Sequence, residues 1–304
     1  MQDCTKTRKQ TVNLFLTVLE IVTPVFLLGA IGFIWVKLGF EYRVEFVTRL
    51  AMTLAVPCLI FTSLMKTQID PAALATLSYA ALAAYGLVTL ASYILVQFAG
   101  LEHRSYLAPI IFGNTGNLGL PLALFAFGQV GLGYAVVVFS IMAVLSFTFG
   151  VWLVSGGGSP LKAIKEPIVA ATLLGALFMW QGWQTPKPLT NTLDLIGQMA
   201  IPIMLLTLGV AVARLKPGRL GRAVWLSLIK VMICVAAAWG VGLWLELPPI
   251  PFAVLVMQVS TPVAVTSYML AEKYGADADA VAGLVVVSTL LSIITIPLTL
   301  AFLL

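Results

Sequence analysis

Apolar stretches of spanning length follow one another along almost the whole chain, separated only by very short polar loops. A helix that crosses the hydrocarbon core of a bilayer needs about 20 mostly apolar residues. Only helices and closed barrels satisfy their backbone polar groups at that depth. Charged residues make up 10% of the chain and apolar residues 61%. A water-soluble domain needs far more charge than this to cover its surface. The expected fold class is therefore all-α integral membrane. Proline and glycine punctuate the boundaries, as at Pro71, Gly100, Gly128, Pro186, Pro248 and Gly275. They divide the chain into ten expected spans, at 14–36, 44–65, 72–98, 105–127, 131–154, 164–182, 189–213, 219–245, 250–272 and 278–304.

Several function classes drop out at this point. The cysteines, Cys4, Cys58 and Cys234, are odd in number and have no CxxC spacing, so neither a disulfide framework nor a zinc site is expected. The single histidine, His103, sits in a loop between Glu102 and Arg104. No GxSxG, HExxH or paired intramembrane aspartate is present, so no enzyme and no cofactor is expected. The net charge of +5 comes from loops between spans and orients the protein in its membrane, without implying nucleic acid. Lys6, Arg8, Lys9, Lys66 and Lys187 fall on one side. The other side receives Lys37, Arg43, Arg49, Arg104, Lys162, Lys165, Arg214, Lys216, Arg219, Arg222 and Lys273. The richer side is cytoplasmic, which places both termini on the non-cytoplasmic face of the plasma (inner) membrane. The basic stub 1–13 resembles the start of a signal peptide, but no A-x-A-like site follows it.

A weak internal repeat runs through the chain. Ala55-Val56-Pro57-Cys58-Leu59-Ile60-Phe61-Thr62 matches Ala200-Ile201-Pro202-Ile203-Met204-Leu205-Leu206-Thr207 by identity or apolar class at nearly every position. Pro121 in the fourth span is answered by Pro262 in the ninth, and Val136 to Ser140 by Val285 to Ser288. The repeats are 14–154 and 164–304, joined by a linker at 155–163. With five spans each, the second repeat enters the membrane from the opposite side, the inverted arrangement of many transporters.

The fourth and ninth spans carry the candidate chemistry. Phe112-Gly113-Asn114-Thr115-Gly116-Asn117-Leu118-Gly119-Leu120-Pro121 holds three glycines, two asparagines and a proline near mid-span. Proline removes a backbone donor and clashes with the preceding turn, and glycine and asparagine tolerate non-helical dihedrals. In Met257-Gln258-Val259-Ser260-Thr261-Pro262, the Thr261-Pro262 pair reads as a helix start placed inside a span. Both spans are thus expected to be two half-helices joined by an extended segment. Each second half-helix begins near the midplane with free N–H groups and about half a positive charge. Two such ends form an anion site. The residues expected to shape it are Asn114, Gly116, Asn117, Gly119, Pro121, Gln258, Ser260, Thr261 and Pro262. Lys230, about 12 Å deeper along its helix than Arg222, joins them as the one charge well inside a span, unless it snorkels to the surface.

Asn114-Thr115-Gly116-Asn117-Leu118-Gly119-Leu120-Pro121 resembles the signature of the auxin efflux carrier family, whose plant members are the PIN transporters. Val22-Thr23-Pro24-Val25-Phe26-Leu27-Leu28-Gly29 is similar to that family's first span. The resemblance covers essentially the whole chain. It implies ten helices with broken fourth and ninth helices that cross, and a homodimer. It also implies a scaffold of the first, second, sixth and seventh spans, against which the others move like an elevator. The implied substrate is a small organic anion bearing a carboxylate. The alternative is sodium-coupled symport of the bile acid type, with amide and backbone ligands in place of a spanning aspartate.

Overall fold

The computed structural model describes residues 2–66, 69–157, 167–215 and 219–303, with the side chains of 2–15 aside. The chain is helical, and among the described residues no strand forms. Seven helical stretches are long and apolar enough to cross a membrane: Leu16–Lys37, Val44–Lys66, Ala72–Phe98, Thr115–Ser155, Lys187–Arg214, Leu220–Trp244 and Ala278–Leu303. Pro167–Gln181 and Pro249–Val259 are shorter apolar helices. Large apolar side chains point outward along these elements, among them Leu27, Leu90, Met232 and Phe302. An exposed apolar surface of that extent suits lipid rather than water, and the protein is a multi-pass membrane protein.

Helix α1 (Gln2–Lys37) begins inside the expected stub, whose backbone continues the helix instead of standing apart from it. The second span is α2 (Val44–Leu50), a widened turn of π type at Ala51–Ala55, and α3 (Val56–Lys66). Asp70 caps α4 (Pro71–Phe98) by accepting from the Ala72 N–H at 3.0 Å, with Pro71 in the first turn. After α5 (His103–Ile111) comes a break, then a second widened turn at Thr115–Gly119, α6 (Leu120–Leu145), a third widened turn at Ser146–Gly150, and α7 (Val151–Ser155). Inside α6 the chain turns at Gly128, φ 62° and ψ −154°, where the fourth and fifth spans were expected to divide. Only glycine takes such dihedrals without strain. Residues 158–163 of the expected linker, with Lys162, lie outside the described residues, as do Lys165 and Lys216.

The second half comprises α8 (Pro167–Gln181), α9 (Lys187–Gln198), α10 (Ala200–Arg214), α11 (Leu220–Trp244), α12 (Pro249–Val259), α13 (Val265–Tyr274) and α14 (Ala278–Leu303). Two packing groups result. In the first, α1 lies along α10, and α3 packs on α8 and α9. The α1–α10 approach is backbone to backbone, because a Cβ on Gly32 would run into the Leu206 carbonyl and one on Gly209 into the Gly29 carbonyl. In the second group α4, α6, α11, α12 and α14 pack on one another. With α5, α7 and α13 packed onto it, polar bonds tie helix ends together. Arg104 donates to the Val154 carbonyl at 3.0 Å and the Tyr274 carbonyl at 2.8 Å, and Arg219 pairs with Asp277 at 3.2 Å.

Candidate functional site: a backbone crossing beside a cleft

The chain leaves its helical course twice, and the two departures meet. Phe112 is extended at the end of α5, and Gly113 pairs with Val263 in an isolated antiparallel bridge. The Asn114 N–H donates to the Pro262 carbonyl at 2.7 Å. Glycine is required here for space, since a Cβ on Gly113 would run into Thr261, and one on Gly119 into the Gln258 amide. The second extended segment is also held from behind, where the Val263 N–H donates to Ser288 Oγ at 3.0 Å.

The position of each break differs from expectation. In the fourth span the break is at Phe112–Asn114, followed by a widened turn at Thr115–Gly119, and Pro121 sits in the first turn of α6. The helical path already runs from Thr115, with the Leu120 N–H donating to the Thr115 carbonyl, so Pro121 falls in its second turn, and the widened turn before it relieves the crowding by its ring. In the ninth span Thr261 does not cap the following helix. Its hydroxyl donates back to the Gln258 carbonyl at 2.8 Å, Pro262 lies in the extended stretch, and α13 starts at Val265 with Ala264 as its cap. Thr261 thus closes α12, satisfying one of the carbonyls that a helix end leaves open.

A cleft of about 720 Å³, counting its open mouth, lies against this crossing. Gly113, Asn114, Gly116 and Asn117 line it from one broken span, and Ala264, Val265 and Thr266 from the other. The first turns of both second half-helices therefore face one space, with their unpartnered N–H groups. Asn117 is the less buried of the two asparagines, whereas Asn114 is 5% exposed and its Nδ2 has no partner. Four further expected residues sit behind the cleft as crossing supports. Gln258 is wholly buried, with Nε2 donating to the Ala135 carbonyl at 3.5 Å and Oε1 unpartnered. Ser260 bonds within α12, and Thr261 and Pro262 are buried. Gly119 and Pro121 are buried in the approach to α6.

Lys230 is 1% exposed and does not snorkel to the surface. Its Nζ approaches Cys234 Sγ at 3.7 Å, one turn further along α11, and it lines neither this cleft nor the cavity described below. Sequence reasoning missed other lining residues of the cleft, among them Thr48 of α2 and Met204 and Thr207 of α10. It also missed Phe139, Met142 and Ser146 on the floor. The one available signal was Thr207, which matches Thr62 in the repeat. A second, larger cavity of about 1990 Å³ on the same measure is lined by Thr62, Lys66, Asp70, Gln129 and Asp194, with Lys66 and Asp194 ion-paired.

The family model described as membrane transport protein matches residues 17–159 and 151–300. An uncharacterized transporter of Methanothermobacter thermautotrophicus is 27% identical over 298 residues, covering 94% of this chain and 98% of its own length. A Rhizobium meliloti protein named as a candidate malonate transporter is 24% identical over 201 residues, 61% of this chain and 62% of its own. An uncharacterized transporter of Methanocaldococcus jannaschii is 24% identical over 204 residues, 62% of this chain and 64% of its own. With the two halves of the model match spanning nearly all of the sequence, the chain belongs to the membrane transport protein family, that of the auxin efflux carriers its Asn114–Pro121 segment resembles.

Proposed function

We propose that the protein is a secondary carrier for a small organic anion, and that the substrate carboxylate sits in the cleft between the widened turn Thr115–Gly119 and the first turn of α13. One observation carries this reading: both half-helix starts, with Asn114 and Asn117, face a single cleft. That arrangement collects N–H donors and two positive dipole ends without any charged side chain. Malonate is the first substrate to test, because a relative is named for it.

The carrier reading includes ten spans in two inverted repeats, at 14–154 and 164–304. It is supported by the two breaks at corresponding places in the two halves. It also includes an elevator-like movement. The helices expected as scaffold are those of the first packing group, and the polar bonds among helix ends favour movement of the second group as a unit. Homodimer assembly and the inner membrane with both termini outside belong to the same proposal, carried over from the resemblance and the basic asymmetry.

A second reading, sodium coupling, is favoured by the Gln258 Oε1 oxygen, wholly buried and unpartnered beside the crossing. Sodium replacement during uptake separates the two.

The test of the anion site is Asn117→Ala in proteoliposomes loaded with labelled malonate. Losing a hydrogen bond to a charged partner costs about 1.5–3 kcal/mol, or roughly ten- to a hundredfold in affinity. Asn117→Asp places a like charge beside the carboxylate and should be weaker still. Unchanged affinity in both variants, with melting temperature intact, would remove Asn117 from the site.

A further inference from the structure

The two cavities lie toward opposite ends of one scaffold span. Thr48 lines the crossing cleft and Lys66 the larger cavity. They belong to the continuous helical stretch Val44–Lys66 and are about 27 Å apart along it at about 1.5 Å per residue. Each cavity also takes one threonine from the repeated segment of the first packing group, Thr207 in the cleft and Thr62 in the larger cavity. Both threonines are buried, at 6% and 4% exposure. Both hydroxyls donate back along their own helices, Thr207 to the Ile203 carbonyl at 2.7 Å and Thr62 to the Cys58 carbonyl at 2.9 Å.

Their surroundings differ in one respect. Tyr42, in the loop between α1 and α2, places its hydroxyl 2.7 Å from Thr207 Oγ1. A threonine has one O–H, and that of Thr207 is committed to Ile203, so Tyr42 is the donor of this pair. Burial pushes the Tyr42 phenol up from its ordinary value, the Thr207 bond opposing, so it keeps its proton at neutral pH. Among the described residues, Thr62 bonds only within its own helix, at the Cys58 and Leu59 carbonyls.

We propose that Thr207 and Thr62 are matched substrate contacts on the scaffold wall, one at each end of a single translocation route, and that Tyr42 strengthens the Thr207 end. This rests on the anion-carrier reading above. A carboxylate arriving in the cleft is a stronger acceptor than the neutral Ile203 carbonyl, so the Thr207 O–H turns to it. Its oxygen continues to accept from Tyr42, and chained hydrogen bonds polarise one another. Thr62 offers the same single O–H without a donor behind it, so an anion is held less firmly at that end and leaves more readily.

Two measurements decide this, with malonate as the probe. In protein with Cys4, Cys58 and Cys234 replaced, Thr62→Cys and Thr207→Cys should react with an impermeant maleimide from opposite membrane faces, and saturating malonate should slow both reactions. Labelling from the same face, or protection of only one site, would overturn the matched pair. Binding to purified protein is the second measurement. Thr207→Val should weaken malonate by roughly ten- to a hundredfold, Thr207→Ser should restore it, and Tyr42→Phe should weaken it severalfold. If Asn117→Ala weakens malonate while Thr207→Val binds like the parent, the threonine contact fails and the carrier site stands. If Asn117→Ala is also without effect, the anion site itself fails.

Discussion

Asn114, Gly116 and Asn117 were legible as candidates because polar and glycine residues at mid-span stand out against an apolar background, and all three line the cleft. Gln258, Ser260 and Thr261 stood out for the same reason; they do not line the cleft, and each donates to a backbone carbonyl in or beside α12. Residue type reveals that a polar group must find a partner at that depth; it does not reveal whether the partner is substrate or backbone. Met204, Phe139 and Met142 carried no signal, since each reads as an ordinary span residue until tertiary packing turns it toward the cleft. The space test at Gly119 is sharp. Gly119→Ala drives a methyl into the Gln258 amide and should cost about 1–3 kcal/mol, seen as a lower melting temperature in detergent. Lys230 presents the opposite case. A buried charge without a carboxylate partner is expensive, and replacing it with an apolar side chain is often neutral or stabilising by about 1–4 kcal/mol. Lys230→Leu should therefore keep or raise the melting temperature, and loss of malonate uptake in that stable variant would give Lys230 a part in transport. Full uptake would assign the lysine a role in packing alone.

At the scale of elements, prolines announced most of the irregularities and concealed their form. The widened turns at Ala51–Ala55 and Thr115–Gly119 each end two residues before a proline, Pro57 and Pro121. Helix α9 likewise gives way to α10 at Met199, just before Pro202. A proline ring crowds the carbonyl one turn earlier, and a wider turn relieves that contact. The sequence located these strained places, but whether a turn widens, kinks or unwinds depends on what packs beside it. At 112–114 the opposing extended segment supplies a hydrogen bond that a broken helix forfeits, the Pro262 carbonyl accepting from the Asn114 N–H at 2.7 Å, so the break settles there and not at Pro121. Gly128 is the clearest boundary. Gly128→Ala imposes a Cβ on dihedrals reserved for glycine and should destabilise the protein by about 1–3 kcal/mol, measurable as a drop in melting temperature with the helical circular dichroism unchanged.

For the whole molecule, basic asymmetry gives a directional prediction. Gln184 lies on the side poor in Lys and Arg and Lys273 on the rich side, and both are exposed. Gln184→Cys in a cysteine-free background should be labelled by an impermeant thiol reagent on intact cells, and Lys273→Cys only after permeabilisation. The reverse pattern would invert the orientation. The succession of apolar segments and the two breaks could be read from the chain because each follows from local chemistry. The grouping of α1, α3, α8 and α10 apart from the rest could be read only through resemblance, since contacts such as Gly209 on Gly29 join residues far apart in sequence. The crossing itself has an evolutionary corollary. On the proposed reading its holding groups are main-chain amides, positioned by the pairing between Gly113 and Val263 and supplied by no single side chain. The side chains that would meet the rest of the cargo are others, such as Met204, Phe139 and Met142, which line the same cleft. A change of cargo would then need changes only among those side chains, and the motif that marks the family would stay silent about the cargo.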